Sequence, residues 1–513
     1  MEIFGVCWLS WQLIILLLTL GAIFLYRHFT ILKRSGIPGP TPLPFVGNLL
    51  EQFFKGIDKT DKEWLQKYGN VFGYYSGYRP CIAITDPEIL KAVLIKDFQN
   101  FTDRPHNGNL PKLLLNGLFF MRGRTWKRTR NIITPTFSAG KLKNLVPIIN
   151  KCAETLVSNM NEKVGQDIAI RKYFIHFTMD AIASTAFGID IDSQKQPDDP
   201  FVKNLDRIFM IGAFARLPVM ITAIVPCMGK LFHKLGFTTW PRDSVGFYEE
   251  TGQALINERR NNKMSRVDFL QMLMNAEFDE AKEEYIHNES TFSKGVSSGH
   301  ETHKVERLSD DEISGQAFVF FIAGFETTAS LLRYSAYILA LHPDVDAKLY
   351  DEVQKHIGQD LPDYENVGNL KYMDQFISEV LRFYPPIPRL TRAAKETITV
   401  GGITIPKGTV IHVPVWTIHH SEENYPDPDI FDPERFSQGK KGVTEGVTFL
   451  PFGTGPRNCI GMRLALVEAK IALVYLLRKL RFVRCDKTQV PLDLNHFGIL
   501  RPKTPIQVRI ETR

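Results

Sequence analysis

From Asp310 to Leu341 the chain runs for more than thirty residues without a proline. Beyond the first turn it carries only two charged residues, Glu326 and Arg333. Ser309-Asp310-Asp311-Glu312 reads as a capping box, with acids where a helix dipole favours them. Pro343 suits the first turn of a following helix. A helix of this length rises ~48 Å. It is apolar on two faces, so other elements must cover it. That predicts a long helix through the middle of a large domain. One stretch conflicts with it: Ala323-Gly324-Phe325-Glu326-Thr327-Thr328. Gly and Thr are poor choices for a helix centre, and such local conflict often marks function. A Thr hydroxyl can bond back to the carbonyl four residues earlier and bend the helix. A bend alone and a functional groove both fit the residues.

Most of the remaining chain has helical periodicity. Short β-type runs lie at 71–75, 81–85, 397–405 and 409–413. The expected fold is mainly α with small β-sheets. No internal repeat or Gly/Ser linker divides residues 45–513, which read as one catalytic domain. A polar stretch at 284–307 reads as a mobile surface loop. The apolar run within 201–240 is broken by Pro218 and Pro226. It reads either as core or as a lid that dips into a membrane surface.

Residues 8–26 are nearly all apolar and uncharged. As a helix they span ~28 Å, close to the ~30 Å of a bilayer core. A cleaved signal peptide is the alternative. Glu2, the long apolar run and the lack of a small-x-small site argue against it. Arg27, Lys33 and Arg34 follow the run, which leaves the rest of the chain in the cytoplasm. Residues 1–34 thus read as a single membrane anchor with a basic flank. Residues 35–44, with Pro38, Pro40, Pro42 and Pro44, read as a stiff proline-rich hinge.

The 513 residues carry a net charge of +6, spread along the chain without a dense basic arm. This argues against a nucleic-acid partner and for a face toward an acidic protein or an anionic membrane. Lys127, Arg128, Lys440 and Lys441 could form such a face or be ordinary solvated surface. Cys7, Cys81, Cys152, Cys227, Cys459 and Cys485 show no paired spacing, so neither a zinc site nor a disulfide framework is signalled. Two sequons, at Asn100 and Asn288, carry little weight in a cytoplasmic domain.

Cys459 lies in Phe452-Gly453-Thr454-Gly455-Pro456-Arg457-Asn458-Cys459-Ile460-Gly461, directly before an apolar-periodic helix. A sulfur at a helix N-terminus sits where free N–H groups favour a thiolate. Gly453, Gly455 and Gly461 permit tight turns and close approach to a flat cofactor. Arg457 can pair with a cofactor carboxylate, and Asn458 reads as a turn residue. A lone Cys before a helix is more often a buried structural residue. Glu379 and Arg382, at i and i+3, would by themselves be a surface pair. Trp126 and Arg130 share a helix face, either as a cation–π pair or as joint donors to one carboxylate.

Taken whole, Phe452–Gly461 resembles the haem-binding loop of the cytochrome P450 superfamily, F-x-x-G-x-R-x-C-x-G. Glu379-Val380-Leu381-Arg382 resembles the family's E-x-x-R helix. Trp126–Arg130 is similar to its W-x-x-x-R helix, and Ala323–Thr328 to its [AG]-G-x-[DE]-T-T motif. The resemblance implies haem b with Cys459 as the axial ligand of the iron. It implies Arg130, Trp126, Arg392 and Arg457 at the propionates, with Arg104 a further candidate, and Phe452 and Ala323 at the cofactor. Arg435, in Pro433-Glu434-Arg435-Phe436, would join Glu379 and Arg382 in a structural network. Thr327 would order the water that delivers protons, and Glu326 would belong to that relay.

The likeness is strongest to the microsomal steroid- and drug-oxidising group, family 3 and its clan. Supporting stretches are LKRSGIPGPTPLPFVGN, TPTFSAGKLKNLVPII and VDFLQ. Pocket positions implied by it are Phe119, Phe120, Phe320, Ile322, Ala323, Ile387, Arg389 and Ile499. Pro386 and Pro388 and the polar loop at 284–307 depart from that pattern and put the substrate in doubt. The implied activity inserts one oxygen atom from O2 into a lipophilic steroid, fatty acid or xenobiotic. Electrons would come through NADPH-cytochrome P450 reductase, with cytochrome b5 as a further donor, at the endoplasmic reticulum membrane. No dinucleotide fingerprint follows a strand here, so the reductase is a separate chain. Two alternatives stay open: a haem-thiolate isomerase of lipid peroxides and a haem sensor without turnover. His419 and His420 lack partners at metal spacing and read as ordinary residues.

Overall fold

The computed structural model describes residues 2–106, 110–196, 198–209, 240–262, 266–279, 305–437, 446–496 and 498–513, with a few single positions between 221 and 231. Pro218, Pro226, Asn288, Lys440, Lys441 and most of the 284–307 stretch lie outside them.

The helices that frame the domain are α1 (Glu2–Phe29), α2 (Gly123–Ile133), α3 (Val146–Asn161), α4 (Arg171–Ile182), α5 (Arg242–Asn262), α6 (Asp310–Leu341), α7 (Pro343–His356), α8 (Lys371–Phe383) and α9 (Met462–Lys479). The longer strands are β1 (Val71–Ser76), β2 (Arg79–Ile84), β3 (Asp167–Ala169), β4 (Leu390–Ala393), β5 (Val410–Val413), β6 (Leu480–Val483) and β7 (Gln507–Thr512). The expectation of a mainly helical chain with small sheets holds.

The long helix is α6. Glu312 N–H donates to Ser309 Oγ at 3.3 Å, and Ser309 N–H donates to the Glu312 carboxylate at 2.9 Å, which closes the expected capping box. Pro343 opens α7. Helix α6 packs against α4 most extensively, and also against α5, α8 and α9. Phe318, Phe321 and Phe325 on one side and Leu332, Tyr334 and Ala336 on others are all buried in the main core. A helix apolar all round is stable only with such cover.

A second core lies on the strand side. One sheet has the order β1-β2-β5-β4. β1 and β2 form a hairpin, β2 runs parallel to β5 with Ile82 opposite Ile411, and β4 is antiparallel to β5 with Arg392 opposite Ile411. A three-stranded sheet has the order β6-β7-β3. Strand β4 was not among the expected β runs. Its residues, Leu-Thr-Arg-Ala, follow three prolines and carry no apolar alternation, and only pairing with β5 makes them a strand.

The apolar N-terminal run lies within α1, and its Ser10–Phe29 portion is long and apolar enough to cross a membrane. The proline-rich segment after it is packed rather than free. Leu32 and Ile37 are buried with Tyr75 and Ile82. Gly73 N–H donates to Pro38 O at 2.7 Å. A Cβ on Gly39 would stand 1.8 Å from Gly73 O, so the close approach requires glycine there.

Behind the core helices, Arg259 of α5 forms a two-pronged ion pair with Asp268, at 2.7 and 2.8 Å, and also donates to Phe187 O. Asp268 is fully buried and caps the short helix Phe269–Met274. Removing one partner of such a pair strands a buried charge. Asp268→Ala is expected to cost about 3–5 kcal/mol of stability, read as a lowered midpoint in urea unfolding. An unchanged midpoint would show that the pair contributes nothing.

Candidate functional site

Cys459 is held by its loop. Its N–H donates to Phe452 O at 2.8 Å, and Gly453 N–H and Asn458 N–H close the flanking turns onto Leu450 O and Gly455 O, each at 3.0 Å. Gly455 has a φ of +71°, and a Cβ there would stand 2.0 Å from Leu94 O, so no other residue fits. Gly461 caps α9, and its N–H faces the sulfur. Burial pushes the Cys459 thiol above its usual value, while the Gly461 N–H, Arg130 and Arg104 draw it back. The expected preference for thiolate is therefore outweighed by burial in the bare chain. A metal bound at the sulfur would remove that proton. The residue is nonetheless accessible. The thiol is thus desolvated by its surroundings and still open on one side.

Four arginines converge near it. Arg130, on α2, donates to Asn458 O at 3.1 Å and Asn458 Oδ1 at 2.9 Å. Arg457 donates to Phe119 O at 3.2 Å and Met121 O at 2.5 Å, and its guanidinium lies 4.5 Å from the centre of the buried Trp126 ring. Arg104 also donates to Phe119 O at 3.2 Å and stacks on the Phe119 ring. Arg392, in β4, is buried and donates to Thr391 O. Among the described residues no carboxylate lies within ion-pairing distance of these four. Burial, with repulsion from Arg392, pushes Arg457 down to about 9. Burial alone pushes Arg392 down to about 10. Burial, then Arg392 and Arg457, pushes Arg104 well below its ordinary value. The Nε groups of Arg392 and Arg457 have no hydrogen-bond partner. Arginine does not give up its proton here, so the cluster calls for an anion with several carboxylate oxygens.

The groove of α6 opens at the expected place. Ala323 is exposed and Gly324 and Thr327 are half-buried in the middle of a helix that is otherwise covered. Thr327 Oγ1 donates to Ala323 O at 2.6 Å, the back-bond read from the sequence. Glu326 points elsewhere. It is fully buried, with Arg171 at 3.0 Å, Arg501 at 3.2 Å and Arg333 at 3.7 Å from its carboxylate. The segment 116–121 ties the groove to the arginines. Gln316 of α6 accepts from Leu118 N–H at 2.7 Å and donates to Asn116 O. A Cβ on Gly117 would stand 2.1 Å from Val319 Cγ2. Phe119 is exposed and Phe120 half-buried, their rings 4.9 Å apart.

Other expected pocket residues divide. Ile322, Ile387 and Ile499 are half-buried, and Leu500 N–H donates to Pro386 O at 2.9 Å, which brings the last two segments together. Phe320 is buried against Phe137 and Phe269. Arg389 is not brought to the arginine cluster. It pairs with Asp61 and donates to Tyr74 Oη at 2.8 Å. The reason is strand alternation: Arg389 and Arg392 are three residues apart and face opposite ways.

Glu379 and Arg382 are both fully buried and paired at 2.7 and 2.8 Å, which excludes the surface-pair reading. Arg435 Nε lies 3.5 Å from Glu379. Arg382 also donates to His419 O, Pro428 O and Ile430 O. His419 proves more than ordinary. Its Nδ1–H donates to Arg382 O at 3.1 Å, and its Nε2 accepts from Leu450 N–H at 2.9 Å. Burial pushes its pKa down to about 3, so it stays neutral and serves both bonds. It joins the α8 network to the start of the Cys459 loop. Gln316 and His419 were missed as site residues. A lone glutamine in an apolar helix was the one signal for the first. Of the basic residues suggested for partner docking, Arg128 is engaged by Glu306 and Glu312.

An accessible sulfur, four arginines without a described carboxylate at ion-pairing distance and a side-chain-poor groove suit a flat iron cofactor bearing two carboxylates. The class so defined is haem-thiolate. The family model for cytochrome P450 matches residues 37–510. Cytochrome P450 3A27 of Oncorhynchus mykiss is 36% identical over 508 residues, covering 98% of this chain and 95% of the relative. Cytochrome P450 3A29 of Sus scrofa is 38% identical, covering 98% and 96%. Cytochrome P450 3A13 of Mus musculus is 36% identical, covering 97% and 96%. The chain belongs to the cytochrome P450 family, and is a haem b-dependent monooxygenase.

His419→Phe would leave Leu450 N–H and Arg382 O unpaired in the interior. Each orphaned group costs about 1–3 kcal/mol. The variant is expected to lose haem at a lower temperature than the unsubstituted protein, followed by the Soret absorbance. Equal retention of haem would refute the linking role of His419.

Proposed function

We propose that this chain oxidises lipophilic molecules of the steroid, fatty acid or xenobiotic type with O2. Electrons come from NADPH through NADPH-cytochrome P450 reductase, with cytochrome b5 as a further donor. The enzyme works as a single-pass protein of the endoplasmic reticulum membrane with its catalytic domain in the cytoplasm. The observation that carries the reading is the convergence of four arginines, none with a described carboxylate at ion-pairing distance, beside an accessible Cys459.

When bound, haem b supplies oxygen activation at an iron whose thiolate ligand favours O–O cleavage. Cys459 is the ligand. Arg130, Trp126, Arg392 and Arg457 would hold the propionates, with Arg104 assisting, and the carboxylates would meet their need for negative charge. Phe452 supports the loop through its carbonyl. Ala323 and Gly324 keep the groove low enough for a flat ring and a substrate. Thr327 holds a proton at Oγ1, now shared with Ala323 O, and passes it toward the groove. Glu326 belongs to that relay only by leaving Arg171, Arg333 and Arg501. Phe119, Phe120, Ile322, Ile387 and Ile499 give the pocket an apolar lining, as binding of a lipophilic substrate requires.

An isomerase of lipid peroxides would need no proton relay, and Thr327 favours the oxygenase. Thr327→Ala is expected to raise NADPH consumed per product formed in a reconstituted system with the reductase. Unchanged coupling would remove Thr327 from proton delivery. Cys459→His should abolish the thiolate-type band of the reduced carbon monoxide complex. Persistence of that band would move the ligand elsewhere.

A further inference from the structure

The stretch Pro386–Arg392 uses both of its faces. On one, Leu390 Cδ1 lies 3.6 Å from where a Cβ on Gly453 would stand, and Arg392 joins the arginine cluster. On the other, Arg389 reaches a buried polar group built from three separate elements. Asp61 comes from the helix Ile57–Tyr68, Tyr74 from β1 and His412 from β5. Asp61 pairs with Arg389, Tyr74 Oη accepts from Arg389 at 2.8 Å and bonds His412 Nδ1, and that nitrogen is 3.4 Å from Arg389. Asp61 is 3% and Tyr74 0% exposed. The stretch is tied at two further points, by Leu500 N–H to Pro386 O at 2.9 Å and by Trp416 N–H to Pro388 O at 3.0 Å. Between those ties stands Ile387.

A buried ion pair contributes little net stability against an apolar replacement, and in some proteins it serves instead to fix geometry. We propose that the Asp61–Arg389–Tyr74 cluster is a specificity-determining strut. It lies on the face of the stretch opposite Arg392 and acts through Ile387. It would set where the Ile387 segment, and the Ile499 turn bonded to it, stand relative to a haem held at Cys459, and so the bulk of ligand admitted. The inference rests on the haem-thiolate reading above.

The full-length holoprotein is titrated with two iron-coordinating probes, imidazole and the bulky triphenylmethyl-imidazole, read by the Soret shift. Asp61→Asn and Tyr74→Phe are expected to change the ratio of the two dissociation constants about 3- to 30-fold, with the imidazole constant and the thiolate-type carbon monoxide band unchanged. Asp61→Glu should restore the ratio in part. The double change Asp61→Leu with Arg389→Met removes the pair without stranding a charge and should shift the ratio likewise. An unchanged ratio in variants that keep the band overturns the strut alone. Loss of the band in both Asp61→Asn and the double variant also overturns it, because the cluster would then hold the haem fold rather than the pocket wall. Absence of the band from the unsubstituted protein would sink the haem reading and the strut together.

Discussion

A fully buried guanidinium has five N–H groups to satisfy and no water to do it. Arg382 meets that demand with five bonds: two to Glu379 and one each to the carbonyls of His419, Pro428 and Ile430. The first of those carbonyls ends the short helix Val415–His419, and the other two lie in the irregular stretch after it. The charge on one side chain therefore fixes the path of the chain from His419 to Ile430. Its own carbonyl then accepts from His419, whose other nitrogen receives Leu450 N–H. The cysteine loop is thus hung from α8 by an unbroken chain of hydrogen bonds.

The second constraint is opposite in kind. Where Arg382 is satisfied within the protein, the four arginines around the cysteine are not. Phe119 O serves two of them, and two Nε groups have no partner. Structural guanidinium groups such as Arg333, Arg389 and Arg435 also keep an unpartnered Nε, but each has a carboxylate beside it. The four around the cysteine have no described carboxylate at ion-pairing distance, and a bound anion would supply one.

Much of this was legible in the residues, because the strongest signals are local. The ends of α6 follow from Ser309, Glu312 and Pro343, and its groove from Gly324 and Thr327. The turns of the cysteine loop follow from Gly453 and Gly455. What stayed hidden depends on partners far apart in sequence. Asp61 lies 328 residues from Arg389, and Gln316 lies 198 from Leu118. No periodicity links such pairs. Strand β4 was hidden for the same reason, since its partner β5 defines it. Arg389 was misplaced because likeness gives a residue's place in the chain, and the pleat decides which way it faces.

The end of α1 is stapled to the strand layer. His28 Nε2 bonds Tyr78 O at 2.6 Å, the two rings stack 3.8 Å apart, and Tyr75 Oη donates to His28 O. Tyr75 lies in β1 and Tyr78 in the turn of the hairpin whose second strand pairs with β5, and β5 carries β4 with Arg392. The end of the apolar helix is therefore fixed to the same strand layer that carries Arg392, so whatever sets the direction of α1 also sets where that layer, and the arginine on it, stands.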